Sequence, residues 1–203
     1  MTAALSSGVE AAVVAAAAVL AGALAALVYR LSRLLGAARR LAGLDPLTGL
    51  GNRRAFDESL ARETERARRY GRSLALIVLD LDGFKAVNDR SGHLAGDAVL
   101  ALAGERIREA VRSSDVACRI GGDEFGIVLP ESTLEESEQL AERLRAHMSS
   151  RPASGAGWLT ASAGVAELGA GDDPELLFRR ADEALYRAKR AGASLLRAQS
   201  EKR

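Results

Sequence analysis

Three acidic residues of this sequence are placed to handle phosphate through a metal ion. Asp80 follows Leu74-Ala75-Leu76-Ile77-Val78-Leu79, a continuous apolar run of the kind that forms a strand covered on both faces. A lone carboxylate at the end of such a strand is costly to bury. Asp123 and Glu124 lie in Arg119-Ile120-Gly121-Gly122-Asp123-Glu124-Phe125, between the apolar runs Val116–Ile120 and Phe125–Leu129. Two such runs joined by a Gly-Gly corner predict an antiparallel hairpin. Without a Cβ, the backbone of Gly121 and Gly122 has room to lie against a ligand. Beside two carboxylates, that corner suggests a phosphate-bearing ligand held through Mg²⁺, which takes a few carboxylate oxygens plus substrate phosphates. An ordinary acidic surface turn is the alternative. With the hairpin beside the Asp80 strand, Asp80 and Asp123 converge on one sheet edge and repel unless a cation lies between them. The Leu81 carbonyl and the N–H groups around Gly83 and Phe84 then face the phosphates. A solvated acidic edge is the competing explanation.

The elements that must position these groups are legible as patterns. Asp45 to Asn52 is turn-rich, and Arg53–Tyr70 is a charged amphipathic helix with Phe56, Leu60 and Ala67 on its apolar side. After the Leu74–Leu79 strand come helices at Phe84–Arg90 and Ala95–Arg112, then the hairpin. Thr133 caps a helix to Met148, with Glu135 and Glu136 in its first turn. Arg151–Gly157 reads as a loop, Trp158–Glu167 as a strand, Pro174 to near Gly192 as a helix, and Ser194–Ala198 as a last short strand. The expected order is β-α-α-β-β-α-β-α-β, without internal repeats.

At 203 residues the chain has room for one sizeable domain plus extras. A net charge of +1 sets up no global field towards nucleic acid. Cys118, the single cysteine, lies in an apolar strand as a buried structural thiol, compatible with a reducing cytoplasm. Ala11–Tyr29 carries no charge and is near the length of a membrane-crossing helix, although its many alanines insert weakly. Glu10 precedes it, and Arg30, Arg33, Arg39 and Arg40 follow. This predicts a single-pass anchor in the inner membrane with the remainder cytoplasmic; a cleaved signal peptide is disfavoured by the lack of Lys or Arg in residues 1–10. Ala18, Gly22 and Ala26 form a small-residue face on that helix, and Leu31, Leu34, Ala38 and Leu41 a short coiled-coil seam. Both lean towards a parallel dimer.

The segments Asp45-Pro46-Leu47-Thr48-Gly49-Leu50-Gly51-Asn52-Arg53, Asp80-Leu81-Asp82-Gly83-Phe84-Lys85, Asn88-Asp89, Gly92-His93, Gly96-Asp97, Arg119 to Phe125, and Ala181-Asp182-Glu183-Ala184-Leu185-Tyr186-Arg187-Ala188-Lys189 together resemble the GGDEF family of diguanylate cyclases. The likeness runs from about Asp45 to Ala198. It implies an α+β, ferredoxin-like fold of the nucleotidyl cyclase and polymerase-palm type, with a central antiparallel sheet and helices packed around it. It also implies a reaction in which two GTP condense to cyclic di-GMP and two pyrophosphates, with Mg²⁺ (or Mn²⁺) as cofactor and a homodimer as the active species.

Residue by residue, the resemblance places metal ligands at Asp80, the Leu81 carbonyl and Asp123. Glu124 matches the proton acceptor for the 3′-hydroxyl, and a further possible metal ligand. Guanine recognition falls on Asn88 and Asp97, with His93 nearby; Gly121, Gly122, Phe84, Lys85 and Lys189 complete the substrate set. Helix capping by Asp97 and a plain surface role for Lys85 are the alternatives there. An amide and a carboxylate suit guanine because adenine offers no ring N1–H or exocyclic amine in that arrangement. Arg112 and Asp115 match an inhibitory product site, which Arg143 can complete from a neighbouring domain. One departure concerns the end of the motif, where Gly192 is followed by Ala193 and Ser194 and a phosphate contact is missing. The expected organisation is residues 1–29 as terminal segment and membrane helix, 30–44 as stalk, 45–198 as cyclase domain and 199–203 as tail, with the stalk governing whether two domains meet. The alternative function is a catalytically silent receptor that binds cyclic di-GMP through Arg112 and Asp115.

Overall fold

The computed structural model describes residues 19–31, 33–34, 43–149, 152–153, 157–158, 160–191 and 195–198. The chain divides into two compact units, Met1–Ala42 and Gly43–Arg203. In the second, the order is α1 (Arg53–Tyr70), β1 (Leu74–Leu81), α2 (Phe84–Ser91), α3 (His93–Ala110), β2 (Val116–Arg119), β3 (Glu124–Pro130), α4 (Leu134–Met148), β4 (Pro152–Ala153), β5 (Gly157–Trp158), β6 (Ala161–Glu167), α5 (Pro174–Ala191) and β7 (Leu195–Arg197).

Chemistry at the helix ends sets several of these bounds. Asn52 accepts from the Ala55 N–H to start α1, and Gly71, at φ 63°, closes it. Thr133 and Glu136 form a reciprocal capping box on α4. The five-stranded sheet runs β2-β3-β1-β6-β7. The β1–β3, β1–β6 and β2–β3 pairs are antiparallel, whereas β6–β7 is parallel. The sheet is therefore mixed rather than wholly antiparallel, because α5 carries the chain back across the sheet before β7 pairs.

Strand β1 is buried along its whole length and alternates between two apolar clusters. Ala75, Ile77, Leu79 and Leu81 join residues of α3 and α4 on one face. Leu74, Leu76 and Val78 join residues of α1 and α5 on the other. The period of two then aims Asp80 at the α1/α5 side.

Three expectations change here. Where a loop was expected over Arg151–Gly157, β4 and β5 form a separate two-stranded ribbon, and Trp158 pairs with Pro152. The β6 strand starts only at Ala161, which pairs with Leu81. The membrane anchor over Ala11–Tyr29, and with it the inner-membrane location, is overturned: among the described residues no helix is long and apolar enough to cross a membrane. The run's many alanines supply length without the transfer energy that leucine or isoleucine would bring. Residues 11–18 of that run, Ala18 of the small-residue face and Ala38 and Leu41 of the seam lie outside the described residues.

Candidate active site

At the end of the sheet, β1 sits between β3 and β6, so Glu124, Asp80 and Ser162 form one cross-strand row. Directly opposed side chains in antiparallel strands share a face. Asp80 is buried and Glu124 half-buried. Burial raises the Asp80 carboxyl above its ordinary range, a Lys189 hydrogen bond and charge oppose that rise, and Asp123 and Asp82 add to it. Glu124 is raised by burial first, then by Asp80, Asp182 and Asp123. The Asp123 carbonyl accepts from the Leu81 N–H at 3.2 Å, tying the hairpin tip to the strand that carries Asp80. From α5, Lys189 Nζ reaches Asp80 Oδ2 at 2.6 Å. Among the described residues no group of three or more His, Cys, Asp or Glu side chains is already gathered around one point. Two opposed carboxylates with a third close by form a partial oxygen set, which is what Mg²⁺ takes when phosphates supply the rest.

Neither Gly121 nor Gly122 has a positive φ, so conformational freedom is not why they stand there. A Cβ on Gly121 would come within 2.5 Å of Glu124 Oε2, whereas one on Gly122 would meet nothing within 4 Å. The second glycine thus presents an open backbone face beside the carboxylates.

The expected guanine-reading residues come together on α2 and α3. Asn88 and Phe84 pack over Gly96, where an added Cβ would lie 3.0 Å from Asn88 Cγ and 3.2 Å from Phe84 Cζ. That places the Asn88 amide next to the residue preceding Asp97. Asn88 is half-buried, while His93, Asp97 and Lys85 are exposed in the single chain, so an unpaired Asp97 carries no burial penalty there. Asp97 does not cap α3, which starts at Gly92 without a side-chain cap.

Arg112, Asp115 and Arg143 line one pocket, together with Ser132, Glu136 and Gln139. Asp115 Oδ2 accepts from the Arg112 N–H at 2.8 Å, which fixes that turn. The departure at Ala193 and Ser194 lies outside the described residues. Cys118 is buried and its thiol pushed up to about 12 by burial, so it is not a nucleophile.

Sequence reasoning gave no role to Asp182, whose charge acts on Glu124, or to Asp45 and Arg119, which are hydrogen-bonded beside the glycine turn. All three stand within motif segments; the signal was present, but no chemistry was attached to it.

A sheet that carries acidic groups at the open end of its central strand, with helices on both faces, is the palm-like α+β fold of nucleotidyl cyclases. The model of the family described as "Diguanylate cyclase, GGDEF domain" matches residues 42–194, and the chain belongs to that family. Diguanylate cyclase DgcP of Pseudomonas aeruginosa is 46% identical over 165 residues, covering 78% of this chain and 24% of its own. Response regulator PleD of Caulobacter vibrioides is 42% identical over 158 residues, covering 75% of this chain and 35% of its own. Among solved structures, the GGDEF domain of DgcB from Caulobacter crescentus, in complex with c-di-GMP, has a TM-score of 0.75 at 36% identity over 78% of this chain and 94% of that one. The chain spans only about a quarter to a third of the length of these curated relatives.

Proposed function

We propose that this chain condenses two GTP into cyclic di-GMP and two pyrophosphates. The observation that carries the reading is the cross-strand Asp80–Glu124 pair at the end of the central strand, flanked by Lys189 and by the open face of Gly122, in a chain of the GGDEF family. The donor set suits a hard divalent ion: burial and neighbouring acidic groups hold both carboxyls high, and a positive charge beside them relieves both. Mg²⁺ (or Mn²⁺) would be held by Asp80, Asp123, Glu124 and the Leu81 carbonyl, and supplies polarisation of the α-phosphate and neutralisation of the departing pyrophosphate.

The protein groups do the remaining work. Glu124, held above the ordinary carboxylate range chiefly by burial, is suited to take the proton of the 3′-hydroxyl. The 3′-oxygen then bonds to the α-phosphorus of the second nucleotide as its α–β bridging P–O bond breaks. Lys189 stands ready to exchange its carboxylate partner for phosphate oxygens, as a point charge. Asn88 and Asp97 orient the guanine, with Phe84 and His93 beside it, and Lys85 approaches the phosphates from α2. Each chain holds one GTP, so reaction requires two chains face to face, a homodimer within which the 30–44 stalk governs encounter. The domain bounds 45–198 follow from the same reading.

The pocket of Arg112, Asp115 and Arg143 suits the anionic, base-bearing product and makes feedback inhibition part of the proposal. That pocket also keeps a second reading in play, a receptor that binds cyclic di-GMP without turning GTP over. Purified protein with GTP and Mg²⁺, products resolved by chromatography, separates them. Cyclic di-GMP formed by the wild type and lost in Asp123→Asn, with inhibition relieved in Arg112→Ala, supports the enzyme. Product binding without turnover supports the receptor.

A further inference from the structure

The turn at residues 45–51 is the one motif segment to which the proposed reaction assigns no task, and it is tied to both halves of the candidate site. Asp45 uses its two oxygens differently. Oδ1 accepts from the Thr48 N–H and from Thr48 Oγ1, both at 2.8 Å, closing the turn on itself. Oδ2 faces Arg119 Nη1 at 3.4 Å, in a pair whose side chains are only 17% and 18% exposed. Arg119 in turn donates from Nε and Nη2 to the Gly122 carbonyl, at 3.1 and 2.8 Å. The forked guanidinium thereby holds the glycine turn from one side.

The other end of the turn rests on α3, the helix that carries His93 and Asp97. The Thr48 carbonyl accepts from Arg108 Nη2 at 2.6 Å. A Cβ at Gly104 would lie 2.7 Å from Thr48 Cβ and 2.8 Å from its carbonyl oxygen, so the turn lies directly on that helix. Between these anchors, Gly51 is stitched to β2: its N–H donates to the Ala117 carbonyl at 3.0 Å, and its carbonyl accepts from the Arg119 N–H at 2.8 Å.

We propose that this turn is a strut fixing the distance between the base-reading helix and the phosphate-facing glycine turn, with Asp45 and Arg119 as positioning residues for nucleotide. A nucleotide that reaches from Asp97 to Gly122 needs that distance held, since a misplacement of about 1 Å can cost roughly a hundredfold in rate. The inference rests on the nucleotide reading above, but its first readout does not require turnover.

Asp45→Asn keeps an oxygen for Thr48 and presents an amide to Arg119; Arg119→Lys cannot hold the Gly122 carbonyl with a fork. Amide hydrogen exchange on the full chain, without nucleotide, should quicken at residues 121–123 in both variants and stay unchanged along β1. The dissociation constant for GTPαS with Mg²⁺ should rise roughly tenfold in each. The double variant should be no worse than Arg119→Lys alone, because both act on one carbonyl. Arg108→Met, cut at the other anchor, should weaken GTPαS binding without quickening exchange at 121–123. Unchanged exchange at 121–123, or additive losses in the double variant, overturns the strut. A global fall in melting temperature with exchange quickened along β1 as well also overturns it, making the turn a folding staple. Quickened exchange in a protein that forms no cyclic di-GMP leaves the strut standing and sinks only the cyclase reading.

Discussion

At the residue scale, the site is defined by carboxylates kept where they do not want to be charged. Glu124 is raised by burial and by the acidic groups around it, so the folded state holds its proton more tightly than the unfolded chain does. The sign follows: ionising Glu124 costs the fold stability as pH rises from the unfolded value through the higher folded one, and that cost is fully present above it. Glu124→Gln removes the cost. In chelator at pH 7 the variant should melt a few degrees higher than wild type, and the gap should close below about pH 4, where the carboxyl is protonated in both states. Thermal melts at the two pH values check this. Turnover of GTP by the same variant should fall by at least about a hundredfold. A higher melting point together with lost activity is what a group kept for chemistry rather than for packing yields. Asp80 differs in having Lys189 at 2.6 Å, so its removal leaves a lone ammonium and no such simple gain is expected.

At the element scale, what matters is how closely α5 lies on the sheet. A Cβ at Gly164 of β6 would lie 2.9 Å from Leu185 Cα and closer still to the Ala181 carbonyl oxygen and the Leu185 nitrogen, all backbone atoms of α5. Backbone cannot swing aside as a side chain can. Gly164→Ala should therefore lift the helix that carries Lys189, destabilising the domain by about 3 kcal/mol. Urea denaturation measures that loss, and the KM for GTP of the folded fraction should rise with it. The capping box on α4 offers a milder comparison: Thr133→Ala should cost about 1 kcal/mol and leave KM alone, because α4 carries none of the proposed GTP-binding residues.

For the molecule as a whole, the proposed reaction takes one GTP and one Glu124 from each chain and joins two nucleotides, so it requires two chains. Specific activity should rise with protein concentration in a dilution series and level off once dimers saturate. A specific activity independent of concentration down to nanomolar protein, in a chain shown to be monomeric there, would falsify the two-chain reaction. The correction at the N-terminus belongs to this scale too. Counting uncharged residues from Ala11 to Tyr29 gives a length, but among the described residues no helix is long and apolar enough to cross a membrane. Alanine supplies length without the transfer energy that leucine or isoleucine would bring.

Local information is what the chain carried openly. The apolar run of β1, the hairpin around Gly121 and Gly122, the Thr133 cap and the closing Gly71 all follow from neighbours within a few positions, and so does membership of the GGDEF family, written in short segments. The tertiary structure decided which of those segments meet. The approach of Lys189 to Asp80 spans more than a hundred positions, the hold of Arg119 on the Gly122 carbonyl takes its partner from Asp45, and the parallel β6–β7 pairing depends on where α5 returns the chain. No periodicity encodes these, because side-chain spacing dictates the face a residue lies on, whereas its distant partner is chosen only when the helices settle on the sheet.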